Sequence, residues 1–201
     1  MNDILKPFGP SIGKYKLSDD DINKLLKITD KLSENYDKEI EVSRKLVGRI
    51  HEQLYYTDDT FVDYFISKME KYVFDVYNYQ GMLANRKYDG KPKIDIKVMW
   101  LNNQVENEYN PAHIHPDGSH LTSVLYLKVP DKMTDKFPDG KLHIINNSQC
   151  SYNSGNLELT DYFVSPEVGD FYIFPSYLKH AAYPFKGEGV RRSLVINSSI
   201  G

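Results

Sequence analysis

The chain has 201 residues, enough for one domain with its own core, and its 40% hydrophobic and 26% charged residues exclude a disordered protein. Its 25 Lys and Arg residues against 28 Asp and Glu residues give a net charge of −3, which argues against nucleic acid as a partner. One cysteine excludes an intrachain disulfide and a cysteine zinc site, so any transition-metal site depends on the six histidines and on carboxylates.

The amino terminus and the hydropathy of the chain predict its location. The first ten residues, MNDILKPFGP, contain neither a basic segment nor a long apolar run, and no stretch approaches the roughly 18 apolar residues of a membrane span. We therefore expect a cytoplasmic protein without membrane contact. We expect residues 1–201 to form a single domain, with a mainly helical part over 1–92 and a strand-rich part over 93–201.

Two amphipathic helices are predicted in the first part. Ser18 and Asp21 have the spacing of a capping box, and the apolar residues after them repeat on one face of a helix over about 18–36. A second helix is predicted to start at Thr57–Asp59 and to end just before Gly81. Its broad apolar stripe consists of Val62, Phe65, Ile66, Met69, Tyr72, Val73 and Val76. Both helices are expected to pack on a sheet and to carry no chemistry.

From Lys93 onward the hydrophobic period is two, as in strands. The first predicted strand contains Ile94, Ile96, Val98 and Trp100, and the later ones are 121–129, 141–145, 157–164, 171–174 and 193–197. Turn-forming Gly and Pro residues separate them, for example at 116–118, 138–140, 153–155 and 187–189. Many short strands without helices between them are typical of an antiparallel sandwich, jelly roll or barrel.

A dense group of histidines lies between the first two of these strands. His115 and Asp117 are two residues apart, so both side chains can converge where a strand turns into a loop. His180, which follows the strand 171–174, is the candidate third ligand. Two histidines and one carboxylate on one face of an iron ion leave three positions open for substrate and oxygen. This pattern predicts an iron site.

A candidate anion-binding group follows the last of these histidines. Arg191 and Ser193 point to the same face of a strand, where a guanidinium and a hydroxyl are suited to holding a carboxylate. Tyr126, on the strand after the histidine group, is a candidate hydroxyl for the same carboxylate, although it is one of 16 tyrosines.

These motifs together resemble the Fe(II)/2-oxoglutarate-dependent oxygenases, in particular the prolyl-4-hydroxylase-like and phage-encoded branches. The stretches are Tyr109–His115, Leu121–Pro130, Pro166–Ser176 with His180, and Arg191–Asn197. The resemblance covers residues 94–201 and implies a double-stranded β-helix, which is a cupin-like jelly roll, with the helices packed on one sheet. It also implies Fe(II), 2-oxoglutarate and O2 as cofactor and co-substrates, with ascorbate as a candidate reductant.

The same resemblance implies roles for individual residues but leaves one open. His180 corresponds to the distal iron ligand, and Arg191 corresponds to the residue that binds the far carboxylate of 2-oxoglutarate. Ser193 and Tyr126 correspond to hydroxyl residues that bind the same carboxylate. If the residues are matched to the family by ligand type, with a carboxylate as the second ligand, His115 and Asp117 are the first two ligands, and we prefer this assignment. If the sequence is instead aligned with the family from Tyr109 onward, the first two ligands are His113 and His115. Together with His180 they would form an all-histidine site.

The expected function is hydroxylation of a C–H bond in a peptidyl residue or a free amino acid, with 2-oxoglutarate converted to succinate and CO2. Two other functions stay open. One is a cupin-like metal dioxygenase or isomerase that uses His113, His115 and His180 and does not need Arg191. The other is a non-catalytic jelly-roll binding module. The sequence does not predict the oligomeric state.

Overall fold

The computed structural model describes residues 9–46, 48–85, 87, 89–115, 117–133, 136–146 and 159–201. It contains two α-helices, α1 (Asp19–Glu34) and α2 (Val62–Leu83). The described strands are β1 (Gly13–Lys16), β2 (Glu52–Tyr55), β3 (Ile94–Gln104), β4 (Asn110–His113), β5 (Leu121–Lys128), β6 (Leu142–Ile145), β7 (Asp161–Val164), β8 (Asp170–Pro175), β9 (Lys179–Ala182) and β10 (Arg191–Ile200).

The strands form two antiparallel sheets. The larger has six strands in the order β1-β8-β5-β10-β3-β2, and the smaller has four in the order β4-β9-β6-β7. Apolar side chains from both sheets share one cluster, in which Val124, Phe174 and Val195 of the larger sheet meet Leu142 and Ile144 of the smaller one. The two sheets therefore face each other, which confirms the predicted mainly β, jelly-roll architecture.

The helices cover the other face of the larger sheet. Leu25 of α1 and Phe65 and Met69 of α2 are fully buried in a second cluster with Phe171 and Leu194 of the sheet. Phe65 and Phe171 pack with their ring centroids 5.7 Å apart. Because strand side chains alternate between faces, each central strand gives every second residue to this core and the others to the space between the sheets. The prediction that the helices pack on one sheet is confirmed.

Local signals explain where the helices begin. The Ser18 hydroxyl accepts a hydrogen bond from the backbone N–H of Asp21 at 3.2 Å, as the capping box predicts. The second helix begins at Val62, later than predicted, because Asp58 accepts from the Thr60 N–H in a turn before it. The predicted end before Gly81 is wrong, since the helix continues through that residue to Leu83.

Several short strands escaped the sequence patterns. β1 and β2 lie in the part that was predicted as mainly helical, and they form the two edges of the larger sheet. β4 and β9 were not predicted, and β7 begins at Asp161 within the predicted strand 157–164, of which residues 157–158 lie outside the described residues. The predicted turn at 153–155 also lies outside them. No helix in the described part of the chain has the length and apolar character to cross a membrane.

Candidate functional site

A cavity of about 290 Å³ lies between the two sheets. The larger sheet lines it with alternate residues of β3 and β10, because these residues share one face. They are Trp100, Asn102 and Gln104 of β3 and Arg191, Ser193 and Val195 of β10. The smaller sheet contributes His113, Leu142, His180 and Ala182. All seven predicted site residues line this cavity, since His115, Asp117 and Tyr126 belong to its wall as well.

Three histidines form a cluster at this cavity. His113 ends β4 and lies directly opposite His180 of β9 in the antiparallel register. His115 follows two residues later, and its Nε2 is 3.1 Å from Nε2 of His180. One potential ligand nitrogen from each of the three rings lies within 4.8 Å of the others. The pairing of β4 with β9 thus brings His115 close to His180, 65 positions later in the chain.

The hydrogen bonds of the rings suit a metal site. Nδ1 of His180 is 3.0 Å from the carbonyl oxygen of Leu178, and Nδ1 of His113 is 2.7 Å from that of Pro111. A carbonyl oxygen only accepts, so each Nδ1 carries the proton and each Nε2 keeps a free lone pair. Histidines that bind metals typically hold their other N–H on such a partner. Two nitrogens bound at right angles, about 2.1 Å from one ion, are about 3.0 Å apart, close to the spacing of His115 and His180.

Burial keeps these rings neutral. It lowers the pKa of His180 to about 3, and that of His115 to about 4, in both cases with a smaller effect of the neighbouring His113. Burial also lowers the pKa of His113. Neutral imidazole is the form that binds a metal, and at neutral pH the three rings do not need to lose a proton first.

Asp117 lines the cavity, but its carboxylate is hydrogen-bonded to groups other than the three histidines. One carboxylate oxygen accepts from the backbone N–H of Ser119 at 3.0 Å, and the other from the side-chain amide of Asn197 at 3.1 Å. Among the described residues, the cluster of ligand atoms contains the three histidines and not Asp117. Asp117 therefore lies next to the cluster, with its two oxygens engaged by β10 and by its own loop.

Arg191 is a buried cation on the cavity wall. Its side chain donates to the carbonyl oxygens of Gly140 and Tyr183 and to the side-chain oxygen of Gln104, all neutral acceptors. Arg191 is only 3% exposed, and no carboxylate within the described residues forms an ion pair with it. A buried charge without a counter-ion is costly, so this side chain is suited to an anion that enters the cavity.

Ser193 and Tyr126 lie beside that cation. They are directly opposite each other in the pairing of β10 with β5, and both line the cavity. Burial raises the pKa of the Tyr126 phenol to about 12, while the charge of Arg191 opposes this change. The phenol therefore stays protonated and available as a donor, as a carboxylate acceptor requires.

The neighbouring Arg192 points the other way. It donates to Asn103 at 2.6 Å, to Asp30 at 2.6 Å and to Ser33 at 3.1 Å, and thereby joins β10 and β3 to α1. The two adjacent arginines thus have separate surroundings, because consecutive strand residues face opposite sides of the sheet.

The other histidines lie outside the cluster. His120 accepts a hydrogen bond from the backbone N–H of Ile200, His143 stacks on Phe163 with ring centroids 4.1 Å apart, and His51 pairs with Glu108. Each of the three therefore has a partner in the protein away from the histidine cluster.

Sequence reasoning missed several polar residues of the cavity. Gln53 of β2 and Asn102 and Gln104 of β3 line its wall, and Lys45 lies at its exposed rim. The alternation of β3 does extend through Asn102 and Gln104, so their shared face was readable once the strand was known to reach that far. Gln53 carried no such signal, because β2 has only four residues.

Comparison with protein families matches this site to a known class. Residues 98–197, which run from β3 through β10, match the family described as "Putative 2OG-Fe(II) oxygenase". The chain belongs to the 2OG-Fe(II) oxygenases. It is therefore an oxidoreductase of a family that uses Fe(II) and 2-oxoglutarate. A comparison with curated protein sequences finds no match.

Solved structures of this class share the fold. A prolyl-4-hydroxylase from Pseudomonas putida is 14% identical, with a TM-score of 0.57 over 94% of this chain and 91% of its own. A prolyl hydroxylase from Trichoplax adhaerens, bound to a peptide of a hypoxia-inducible factor, is 15% identical, with a TM-score of 0.57 over 94% and 83%. The epimerase SnoN from nogalamycin biosynthesis, bound to Fe3+, α-ketoglutarate and nogalamycin RO, is 12% identical, with a TM-score of 0.55 over 94% and 79%. At these identities the likeness concerns the fold alone.

The residues present fit the two groups that this family uses. The three neutral imidazoles, of which those of His113 and His180 have free Nε2 lone pairs, suit Fe(II). The buried Arg191 without a counter-ion, next to Ser193 and Tyr126, suits a carboxylate. The two groups of residues line the same cavity, as a metal and its chelating co-substrate require.

Proposed function

We propose that this protein is an Fe(II)- and 2-oxoglutarate-dependent dioxygenase that hydroxylates a C–H bond of a peptidyl residue or a free amino acid. The observation that carries the proposal is the buried, unpaired Arg191 in the same cavity as the histidine cluster. An enzyme that binds no 2-oxoglutarate would not need Arg191 as the counter-ion of a carboxylate. The prolyl hydroxylase that holds a peptide is a reason to include peptides among the substrates.

We further propose that His113, His115 and His180 hold the iron. Their nitrogens already converge, whereas both oxygens of Asp117 have other partners. Asp117 would then support the loop that carries His115. The assignment His115, Asp117 and His180 remains the alternative, and it requires the Asp117 carboxylate to leave Asn197 and turn toward the rings.

The protein groups have distinct tasks in this proposal. Leu178 and Pro111 hold the rings of His180 and His113 through their Nδ1 protons, so the Nε2 atoms stay directed at one point. Arg191, Ser193 and Tyr126 bind and orient the far carboxylate of 2-oxoglutarate. With both groups bound, the centre would use O2 to oxidise a substrate C–H bond while 2-oxoglutarate loses CO2 and becomes succinate.

Succinate formation tests the activity. Purified protein with Fe(II), ascorbate and 2-oxoglutarate should release succinate, and His180→Ala should abolish both this release and iron binding. His120→Ala is the matched control, since this exposed histidine lies outside the cluster. Absence of succinate with every candidate substrate, together with absence of 2-oxoglutarate binding, would exclude the proposed function.

Iron binding distinguishes the two ligand sets. If the three histidines are the ligands, His113→Ala lowers the iron affinity by orders of magnitude, and Asp117→Ala lowers it by no more than about the 10- to 100-fold of a supporting residue. If Asp117 is a ligand, the order of the two variants is reversed. Equilibrium titration of iron under anaerobic conditions measures both.

A cupin-like dioxygenase or isomerase without 2-oxoglutarate is the second candidate, because an all-histidine cluster is what it would use. Activity that does not depend on 2-oxoglutarate would favour it. We also propose a cytoplasmic location and no nucleic acid partner, in line with the net charge of −3. Cell fractionation tests the location.

A further inference from the structure

A row of polar side chains crosses the larger sheet at one level of the cavity. Tyr126 of β5 lies opposite Ser193 of β10, Ser193 lies opposite Asn102 of β3, and Asn102 lies opposite Gln53 of β2. All four line the cavity. Tyr126 and Ser193 belong to the proposed carboxylate site, whereas the other two have no role in it.

Gln53, at the end of this row, has one unused hydrogen-bonding atom. Its side-chain N–H donates to the side-chain oxygen of Asn102 at 2.9 Å, and its backbone N–H donates to the Ser43 hydroxyl at 2.8 Å. Its backbone carbonyl accepts from the N–H of Val42 at 2.8 Å. Its Oε1, however, has no partner although the residue is fully buried.

This free acceptor is informative because buried polar groups are nearly always paired, and an unpaired one lowers stability. The hydrogen bond from its side-chain N–H to Asn102 leaves the amide of Gln53 little freedom to turn away. Since Gln53 also lines the cavity, a ligand in the cavity is the natural source of the missing donor. Neighbouring strands are about 4.8 Å apart, so β2 lies about 10 Å from β10 and from the carboxylate site on it.

The rest of this end of the cavity has a matching character. Lys45 lies at the rim, is exposed, and forms no ion pair with a carboxylate in the described ranges. Trp100, Leu46 and Ile50 also line the cavity wall. The region thus offers a hydrogen-bond acceptor, a cation and an apolar wall, and it complements a ligand with an N–H donor, an oxygen acceptor and an apolar side chain.

We propose that Gln53 is a substrate-specificity residue, whose Oε1 accepts a hydrogen bond from the N–H of an amino-acid unit while Lys45 binds its carbonyl or carboxylate oxygen. This unit is supplied either by a peptide or by a free amino acid. The inference rests on the proposed function, and it adds the part of the cavity that recognises the substrate.

Trp100 provides a binding signal that does not depend on turnover, because it is the only tryptophan of the chain and lines the cavity. The probes are the common amino acids in four forms. The peptide forms are N-acetyl-amino acid N′-methylamides and their N-methyl counterparts, which lack the α N–H. The free forms are the amino acids and their betaines, and the betaines likewise lack an N–H. Fluorescence titrations with each probe are run with and without 2-oxoglutarate, on iron-loaded protein without oxygen.

We expect the best-binding probe with an N–H to bind wild-type protein about tenfold more tightly than its methylated counterpart. Gln53→Met, which keeps the length of the side chain and removes the acceptor, should abolish this difference. Gln53→Glu, which keeps an acceptor, should restore most of it. Gln80→Met, on the exposed side of α2, is the matched control and should behave like wild type. Preference for the peptide or the free form identifies the source of the unit.

Three results would overturn the inference. They are equal binding of a probe and its methylated form to wild type, an unchanged preference in Gln53→Met, and no binding of any probe. The wild-type comparison decides the matter if Gln53→Met fails to fold. Weaker 2-oxoglutarate binding in Gln53→Met would also overturn it, since Gln53 would then belong to the co-substrate site. Failure of the proposed function is seen separately, as absence of 2-oxoglutarate binding to wild type.

Discussion

Arg191 and Arg192 offer a direct test of how the site works, because adjacent side chains on β10 serve opposite faces of one sheet. Arg191 reaches the cavity, and Arg192 reaches Asp30 of α1. We predict that Arg191→Met removes 2-oxoglutarate binding and that Arg192→Met does not. The two variants make the same chemical change one residue apart.

The expected size of the effect follows from the surroundings of Arg191. Its three protein partners are neutral, so the carboxylate of 2-oxoglutarate would be its counter-ion. Truncation of one partner of a buried charge pair costs about 2–5 kcal/mol, which is about 30- to 4,000-fold in affinity. Arg191→Lys keeps the charge and loses the two-pronged geometry, and we expect it to lie between wild type and Arg191→Met.

Arg192→Met has a different expected result. Its hydrogen bonds to Asp30, Asn103 and Ser33 join the helix to the sheet, and bonds to charged groups contribute about 1.5–3 kcal/mol. We expect the free energy of unfolding to fall by about 2–3 kcal/mol, while the affinity for 2-oxoglutarate changes less than about threefold. Urea unfolding measures the first quantity, and anaerobic titration followed by Trp100 fluorescence measures the second.

The reasoning would be refuted if Arg191→Met bound 2-oxoglutarate within about threefold of wild type, or if both arginine variants weakened binding equally. The first result would mean that the co-substrate does not reach this cation. The second would mean that loss of affinity reflects general damage to β10 and not a missing counter-ion.

The remaining predictions concern stability and metal binding. Phe171→Ala should lower the free energy of unfolding by about 3–5 kcal/mol in urea titrations, because the ring is fully buried, whereas Leu159→Ala, 80% exposed, should change it by less than about 0.5 kcal/mol. Burial raises the pKa of Asp170, but the hydrogen bonds and charges of Lys14 and Lys16 together outweigh it, and the pKa lies below its usual value. Stability from this carboxylate is thus complete above the unfolded pKa of about 4 and is lost as pH falls through the lower folded pKa, so acid unfolding of Asp170→Asn should lack that part of the pH dependence. Fe(II) should raise the thermal midpoint of wild type and a chelator should reverse this, with no shift for His180→Ala, and an equal shift for that variant would refute the metal site.

The sequence predicted those parts of the site that depend on local alternation. Arg191 and Ser193 share a face because they are two residues apart on one strand, and the structure places both at the cavity. His113 and His115 adjoin His180 because β4 pairs with β9, and this pairing is a tertiary contact that no local pattern contains. The sequence therefore named the three histidines that converge here, but it preferred Asp117 to His113 as a ligand.

Asp117 and Gln53 show why the remainder was out of reach. The carboxylate of Asp117 is engaged by Asn197, which is 80 residues away in the chain, so its orientation depends on how the loop meets β10. Gln53 lies on a four-residue strand whose place at the sheet edge depends on pairing with β3. Short edge strands give too few residues for a hydrophobic period, which also explains why β1 and β4 were missed.

The position of β4 at the edge of the smaller sheet has a consequence for motion. An edge strand has one paired neighbour, and β4 contains Pro111, which donates no backbone hydrogen bond, so β4 is held less firmly than the strands inside the sheet. His113 lies on this strand and His180 on the inner strand β9. An ion bound by both rings, as proposed, would tie this edge strand to the interior of the sheet. Hydrogen exchange at the β4 amides should accordingly slow on metal binding, while exchange at the already enclosed strand β5 stays the same.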